Sequence, residues 1–154
     1  RNILQEMGAR LKLYGYVYDG YAAHINTLQS YYDRSMELLS TAVRQALFCP
    51  QRPVYGKEND SPSGYIDPDG GCVNSLIADG CDIRGSVKNC ILFRNVRIER
   101  GASVENCILF KDTVVKKGAS LHSVITDKYV TVSENVILTG HERYPMVVAK
   151  GVTV

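Results

Sequence analysis

The sequence repeats itself at a fixed interval, and this repeat limits the possible folds more than any other feature. The pentapeptide NCILF occurs at residues 89–93 and again, seventeen residues later, at 106–110. Residues 92–108 (LFRNVRIERGASVENCI) and 109–125 (LFKDTVVKKGASLHSVI) are identical at six of seventeen positions. A fixed period of this size indicates structural units that stack because none of them can bury its apolar face alone.

Each unit is too short for a pair of helices, and its aliphatic residues come in short clusters separated by Gly-Ala or Asn/Asp. This pattern predicts three short strands per unit, joined by tight corners. The units resemble hexapeptide repeats. The resemblance implies a mainly β fold, a left-handed parallel β-helix of hexapeptide-like repeats with about four to five coils over residues 73–154.

Equivalent residues of successive coils should stack about 4.8 Å apart. Ile91, Ile108 and Ile125 share one repeat position, and we expect them to form one inward-facing column. A second set shares another phase: Ile98, Val115 and Val132. Other equivalent pairs are expected to stack for structural reasons: Phe93 with Phe110, Cys90 with Cys107, and Asn89 with Asn106 as a corner ladder of amides.

The chain before the coils has a different character. Residues 11–19 (LKLYGYVYD) alternate in polarity, which predicts a strand. Asn26 or Thr27 can cap a helix, and a second helical stretch is predicted over 42–48. Three segments result: 1–49, a strand–helix piece; 50–72, a linker rich in Pro and Gly; and 73–154, the β-helix.

Composition excludes some classes of protein. The net charge is only +2, so nothing calls for nucleic acid, and no apolar run is long enough to span a membrane. The five cysteines form no C-x-x-C pair, which favours free thiols in the cytoplasm over a disulfide framework or a zinc site. The chain starts without Met, so we expect it to be a fragment of a longer protein.

Three longer stretches carry a family resemblance: 20–39 (GYAAHINTLQSYYDRSMELL), 52–65 (RPVYGKENDSPSGY) and 73–110 (VNSLIADGCDIRGSVKNCILFRNVRIERGASVENCILF). They resemble the end of the catalytic domain, the linker and the β-helix of bacterial glucose-1-phosphate adenylyltransferases (ADP-glucose pyrophosphorylases). The resemblance implies that the strand–helix piece would close a nucleotidyltransferase-like α/β domain. It also implies a role in making ADP-glucose from ATP and glucose 1-phosphate for glycogen synthesis.

One motif departs from the family pattern. Where catalytic members read roughly G-Y-W-x-D-V-G-T, with the Asp as a magnesium ligand, this chain has His24 in place of the Asp and Asn26 in place of the Gly. Imidazole is a poor ligand for magnesium. The departure resembles the non-catalytic regulatory subunits of the family. We therefore expect no catalytic residue, metal site or cofactor in this fragment, with magnesium needed only by the family's catalytic domain.

The resemblance implies that the coils support subunit contacts, with a catalytic subunit or with a second copy, and help to bind a sugar-phosphate or phosphate effector. Candidate residues are Arg94, Lys111 and Lys128, at successive seventeen-residue steps, and Lys150, in a segment (VVAKG) similar to one where some members contact effector. Lys150 also falls into a second basic series with Arg100 and Lys117, interrupted at Glu134. The three histidines, His24, His122 and His141, are not expected to converge.

Two other functions share this architecture. One is a hexapeptide-repeat acyltransferase, in which a His acts as general base. It is disfavoured by the few coils, by the absence of a protruding His-bearing loop and by the upstream strand–helix piece. The other is the β-helix of a different sugar-nucleotide transferase. The sequence leaves open whether the parent protein is itself an enzyme.

Overall fold

The computed structural model describes residues 5–8, 10–56 and 60–154. Its main feature is a parallel β-helix in which each strand pairs with the strand three positions further along the chain. Three five-stranded sheets therefore form the three sides of a prism. The parallel pairing joins Ile91 to Ile108 and Ser103 to Ser120, at the predicted seventeen-residue step. The parallel β-helix predicted from the repeat is thus confirmed.

Helix α1 (Leu28–Met36), a 3-10 turn (Glu37–Leu39) and helix α2 (Thr41–Leu47) precede the coils. Face A of the prism consists of β1 (Tyr65–Ile66), β4 (Asp82–Ile83), β7 (Arg97–Ile98), β10 (Val114–Val115) and β13 (Thr131–Val132). Face B consists of β2 (Gly71–Val73), β5 (Ser86–Lys88), β8 (Ser103–Glu105), β11 (Ser120–His122) and β14 (Ile137–Thr139). Face C consists of β3 (Leu76–Ile77), β6 (Ile91–Leu92), β9 (Ile108–Leu109), β12 (Val124–Thr126) and β15 (Met146–Val148).

The interior of the prism is a continuous aliphatic core. On face A, Ile98, Val115 and Val132 pair in register on successive rungs, and none of them is accessible to solvent. This confirms the phase predicted for these three residues. Burying each such side chain contributes about 1.5–3 kcal/mol, and no single coil could enclose them alone.

The isoleucine column was predicted in the right register but on the wrong side of the sheet. Ile91, Ile108 and Ile125 pair in register on face C, as expected. Their side chains do not join the prism interior but form a separate cluster with Tyr32 of α1. The interior positions of this face are taken by their neighbours, including Leu92 and Leu109. The column is buried because a helix covers it from outside.

Helix α1 begins as its sequence predicts and docks on face C. Thr27 is the N-cap, and its hydroxyl accepts a hydrogen bond from the N–H of Ser30 in a capping box. The hydroxyl of Tyr32 donates to the carbonyl of Asn106 at 2.7 Å, and Gln29 Nε2 donates to the carbonyl of Glu142 at 2.8 Å. The buried ring and these two hydrogen bonds fix the helix to the coils.

Two features before the coils differ from the sequence expectation. Residues 11–19 form no strand, and Tyr14 and Tyr16 are almost fully exposed. A strand needs a hydrogen-bonded partner for its backbone, and none of the described residues provides one. The second difference concerns the segment 50–72, in which β1 and the start of β2 already belong to the prism.

Residues with left-handed backbone conformation turn the chain at the corners. Asn74, Asn89 and Asn106 have φ of 44°, 51° and 53° at equivalent corners. Asparagine tolerates this region better than most residues because its short amide can hydrogen-bond locally. The Nδ2 of Asn74 donates to Oδ1 of Asn89 at 2.8 Å. The predicted ladder joined Asn89 to Asn106, whereas the observed amide hydrogen bond joins Asn74 to Asn89, and Nδ2 of Asn106 lies instead 3.4 Å from Nε2 of His122.

We expect Asn89→Val to destabilise the coils more than Asn89→Gly. Both variants lose the amide hydrogen bond to Asn74, but only valine must be forced into the left-handed region. That strain costs about 1–2 kcal/mol for a residue with a Cβ, and β-branching adds to it. Chemical denaturation should give a free energy of unfolding lower for valine by about this amount. Equal stability of the two variants would contradict the corner assignment.

Candidate anion-binding site

Basic side chains lie one above the other at the corner between faces C and A. The N–H of Tyr129 donates to the carbonyl of Lys111 at 3.1 Å, so Lys128 follows Lys111 by one rung. The N–H of Gly151 donates in the same way to the carbonyl of Lys128 at 2.9 Å, which places Lys150 on the next rung. We call this set the basic column: Arg94, Lys111, Lys128 and Lys150.

From the sequence, Lys150 was wrongly assigned to the second basic series. The sequence phase put it with Arg100 and Lys117, but the register puts it in the basic column. The cause is the connection before the last coil, where His141 and Tyr144 form an antiparallel bridge. This turn lengthens the coil, so the seventeen-residue spacing no longer applies. All four candidate residues therefore share one corner.

A groove of about 220 Å³ lies beside the basic column. Its lining combines cations, aromatic rings and polar groups: Ser61, Phe93, Arg94, Asn95, Phe110, Lys111 and Lys128. Phe93 and Phe110 stack with ring centroids 4.7 Å apart and planes 10° apart, which confirms the predicted stack. Tyr31 of α1 continues it, 6.4 Å from Phe110. One wall of the groove thus reaches the helix that precedes the coils.

The basic column carries an excess of positive charge. Lys111 Nζ lies 3.6 Å from a carboxylate oxygen of Asp112, an ion pair that is partly exposed. Asp127 accepts a hydrogen bond from the backbone N–H of Lys128 at 2.7 Å. The hydroxyl of Tyr129 beside Lys111 raises the pKa of that ammonium group above its usual value, and Asp112 adds to the effect. Lys111 therefore stays charged throughout the physiological pH range.

Tyr129 was not identified as a site residue from the sequence, although it contacts two members of the basic column. Lys111 Nζ lies 5.0 Å and Lys150 Nζ 5.8 Å from the centre of its ring, within cation–π range. Its φ of 61° is unusual for an aromatic residue. Asn95 and Asp112 have the same left-handed conformation on the preceding rungs, with φ of 60° and 59°, so it belongs to the corner of the coil and is not a sign of a ligand. One sequence feature could have identified Tyr129: it stands at a corner position that Asn95 and Asp112 occupy on the two preceding rungs.

Comparison with known proteins bears on this site. A family model described as GlmU-like, C-terminal hexapeptide matches residues 64–154, more than half of the chain. The chain belongs to this hexapeptide family. It is 43% identical over 148 residues to the glycogen biosynthesis protein GlgD of Bacillus subtilis, a match that covers 96% of this chain. It is 36% identical over 90 residues to the glucose-1-phosphate adenylyltransferase of Acetivibrio thermocellus, covering 58% of this chain.

The matches confirm the resemblance to the glucose-1-phosphate adenylyltransferase family, and the relatives include proteins named for glycogen biosynthesis. The chain spans 43% of the length of the Bacillus subtilis protein and 21% of the Acetivibrio thermocellus protein. A second GlgD, from Geobacillus stearothermophilus, is 46% identical over 68 residues, which cover 44% of this chain and 20% of that protein. Within the part of the chain that the structure describes, no helix combines the length and apolar character needed to cross a bilayer.

His122 and His141 have separate local partners. Ser123 Oγ lies 3.2 Å from Nδ1 of His122, and His141 Nδ1 accepts the N–H of Arg143 at 3.1 Å. Across residues 5–8, 10–56 and 60–154, no group of three or more His, Cys, Asp or Glu side chains could hold a metal ion. His24 lies in an exposed, irregular segment and offers an imidazole where magnesium prefers oxygen ligands. The residues present do not fit a magnesium site.

Proposed function

We propose that this chain is the regulatory and assembly part of a protein of the glucose-1-phosphate adenylyltransferase family, acting in glycogen biosynthesis. In this proposal the parent protein is a regulatory subunit that associates with a catalytic subunit or with a second copy. The GlgD relatives support the assignment, because one of them matches nearly the whole chain. The fragment itself carries out no reaction.

We also propose that the basic column binds the effector, a sugar phosphate or inorganic phosphate. The observation that carries this proposal is the stacking of four cations on successive rungs at one corner. Like charges about 4.8 Å apart repel one another, and a bound anion would relieve that repulsion. Hydrogen bonds from ammonium or guanidinium groups to phosphate are among the strong ones in proteins.

The contact of α1 with the groove supports a regulatory role. Tyr31 stacks on Phe110, which lines the groove beside Lys111. The same part of the chain includes Tyr21, whose hydroxyl donates to the carboxylate of Glu37 at 2.7 Å. An anion that orders the groove wall would therefore act directly on the helix joining the coils to the preceding domain. The five free thiols are in keeping with a reducing compartment such as the cytoplasm.

The test replaces three members of the basic column in the full-length protein: Arg94→Ser, Lys111→Ser and Lys128→Ser. Each charge-assisted hydrogen bond contributes about 1.5–3 kcal/mol when it is well formed. We therefore expect inorganic phosphate and glucose 6-phosphate to bind at least about tenfold more weakly in calorimetric titration. Sedimentation of a mixture with a catalytic relative should show altered assembly, or its activity should respond less to these anions.

The matched control removes three exposed cations elsewhere: Arg10→Ser, Lys12→Ser and Arg143→Ser. It should bind phosphate and assemble as the unmodified protein does, because only the total charge changes. The basic-column variant could also bind the effector and assemble as the unmodified protein does. The column would then be only a solvated basic face, and the proposal would be wrong.

A further inference from the structure

A second group of charged residues lies on face A and at the corner that follows it. A recess of about 490 Å³ opens there, within the range typical of small-ligand sites. We call it the face A recess, and its lining is Asp82, Arg84, Arg97, Glu99, Arg100 and Lys117. The lining comes from three successive coils. Nothing in the proposed effector site uses these residues.

Two of the four cations are already committed to carboxylates. Arg84 makes a two-pronged pair with Asp82, with Nε–Oδ1 at 2.9 Å and Nη2–Oδ2 at 3.0 Å. Arg100 Nη2 lies 3.1 Å from Oδ2 of Asp67, whose carboxyl is almost fully buried. The N–H of Asp69 and then the guanidinium of Arg100 hold the pKa of Asp67 below its usual value, so this pair is charged. Arg84 and Arg100 therefore already have carboxylate partners.

The other two cations are available for a ligand. In residues 5–8, 10–56 and 60–154, neither Arg97 nor Lys117 forms an ion pair with a carboxylate. The nearby carboxylate of Glu99 is held instead by the backbone N–H of Lys117 at 3.0 Å. Arg97 is exposed at the centre of the sheet, between Asp82 and Val114 on the neighbouring strands. Arg97 and Lys117 therefore border the recess without an ion pair among the described residues, and Asp82 lies opposite Arg97 on the neighbouring strand.

We propose that the face A recess is a second anion-binding site, in which a compact phosphate group binds between Arg97 and Lys117. The concave shape suits a small ligand. An extended acidic protein surface fits less well, because it would meet Asp82 and Glu99 and be repelled by them. In this proposal a single phosphate group contacts the two cations, both of which line the recess. Guanidinium groups bind phosphate with two parallel hydrogen bonds, which favours Arg97 as the main contact.

The test is made on a full-length protein that already carries the three basic-column replacements, so that the two sites are separated. On this background we expect one remaining site for inorganic phosphate or glycerol 3-phosphate by equilibrium binding. Adding Arg97→Ser and Lys117→Ser should weaken binding at least about tenfold, since two charge-assisted contacts are lost. Arg97→Lys should retain part of the affinity, because it keeps the charge but not the fork of donors.

Controls make the result decisive. Adding Lys12→Ser and Arg143→Ser to the same background removes equal charge and should leave binding unchanged. Binding of glycerol 3-phosphate without inorganic phosphate would identify the source as a phosphorylated metabolite, and binding of both would show that phosphate suffices. No saturable binding on the background, or binding that survives loss of Arg97 and Lys117, would overturn the proposal. The proposal would also be overturned if a poly-glutamate peptide bound and its binding, but not that of phosphate, depended on Arg97 and Lys117.

Discussion

Assayed alone with ATP, glucose 1-phosphate and magnesium, the full-length protein is expected to form ADP-glucose at least about a thousandfold more slowly than a catalytic relative. A metal ion contributes several kcal/mol of charge stabilisation in such reactions, and each 1.36 kcal/mol is a factor of ten in rate. At His24 the chain offers an imidazole where the family's catalysts are expected to place a carboxylate for that ion. The expectation rests on the proposed regulatory role.

The control for this prediction is a reciprocal change in a relative. A catalytic member of the glucose-1-phosphate adenylyltransferase family serves as the active reference. In that reference, replacing the Asp that the family pattern G-Y-W-x-D-V-G-T implies by His should produce a fall of similar size. A turnover of about 1–1000 per second for the full-length protein, typical of enzymes, would show that His24 does not silence the site.

The repeat predicted the register of the coils but not which way each side chain points. The register follows from the seventeen-residue interval, which joins Ile91 to Ile108 and Ile98 to Val115. The side of a strand that faces the core can normally be read from the sequence, because apolar and polar residues alternate along the strand. On face C that alternation is missing because both sides of the sheet are buried, one in the prism and one under α1. No local pattern in NCILF distinguishes its two buried sides.

The prediction of the candidate site was limited in a similar way. Arg94, Lys111 and Lys128 could be aligned because they keep the interval, whereas Lys150 lies beyond a coil lengthened by the turn at His141. The face A recess could not be assembled from the seventeen-residue interval, because Asp82 and Arg97 pair in register across a shorter coil and Lys117 lies at a different repeat position. Residues 11–19 alternate as a strand would, but alternation cannot supply the partner that a strand needs.

Adjacent residues of β9 allow the two buried sides of face C to be separated by experiment. Ile108 and Leu109 are both inaccessible to solvent, but Ile108 lies under α1 and Leu109 inside the prism. We expect Leu109→Asp to unfold the coils, because a carboxylate in the closed interior has no partner and costs several kcal/mol. Ile108→Asp should instead release α1, since its carboxylate reaches water once the helix leaves.

Hydrogen exchange of individual amides measures this difference. In Ile108→Asp, the amides of α1 should exchange at least about a hundredfold faster, corresponding to a loss of about 2.7 kcal/mol of local stability. Val104 and Leu121, which belong to the prism interior, should keep their protection. In Leu109→Asp, protection should be lost throughout the coils.

Smaller changes at the same interface should follow the same order. Ile108→Val removes one methylene and should cost about 0.5–1.5 kcal/mol of α1 docking. Tyr32→Phe removes the hydrogen bond to the carbonyl of Asn106 and should cost about 1 kcal/mol. Both should speed exchange in α1 less than Ile108→Asp does and leave the coils unaffected. If Ile108→Asp and Leu109→Asp unfold the coils alike, the two sides of face C are not independent, and α1 is an integral part of the prism rather than a helix docked on it.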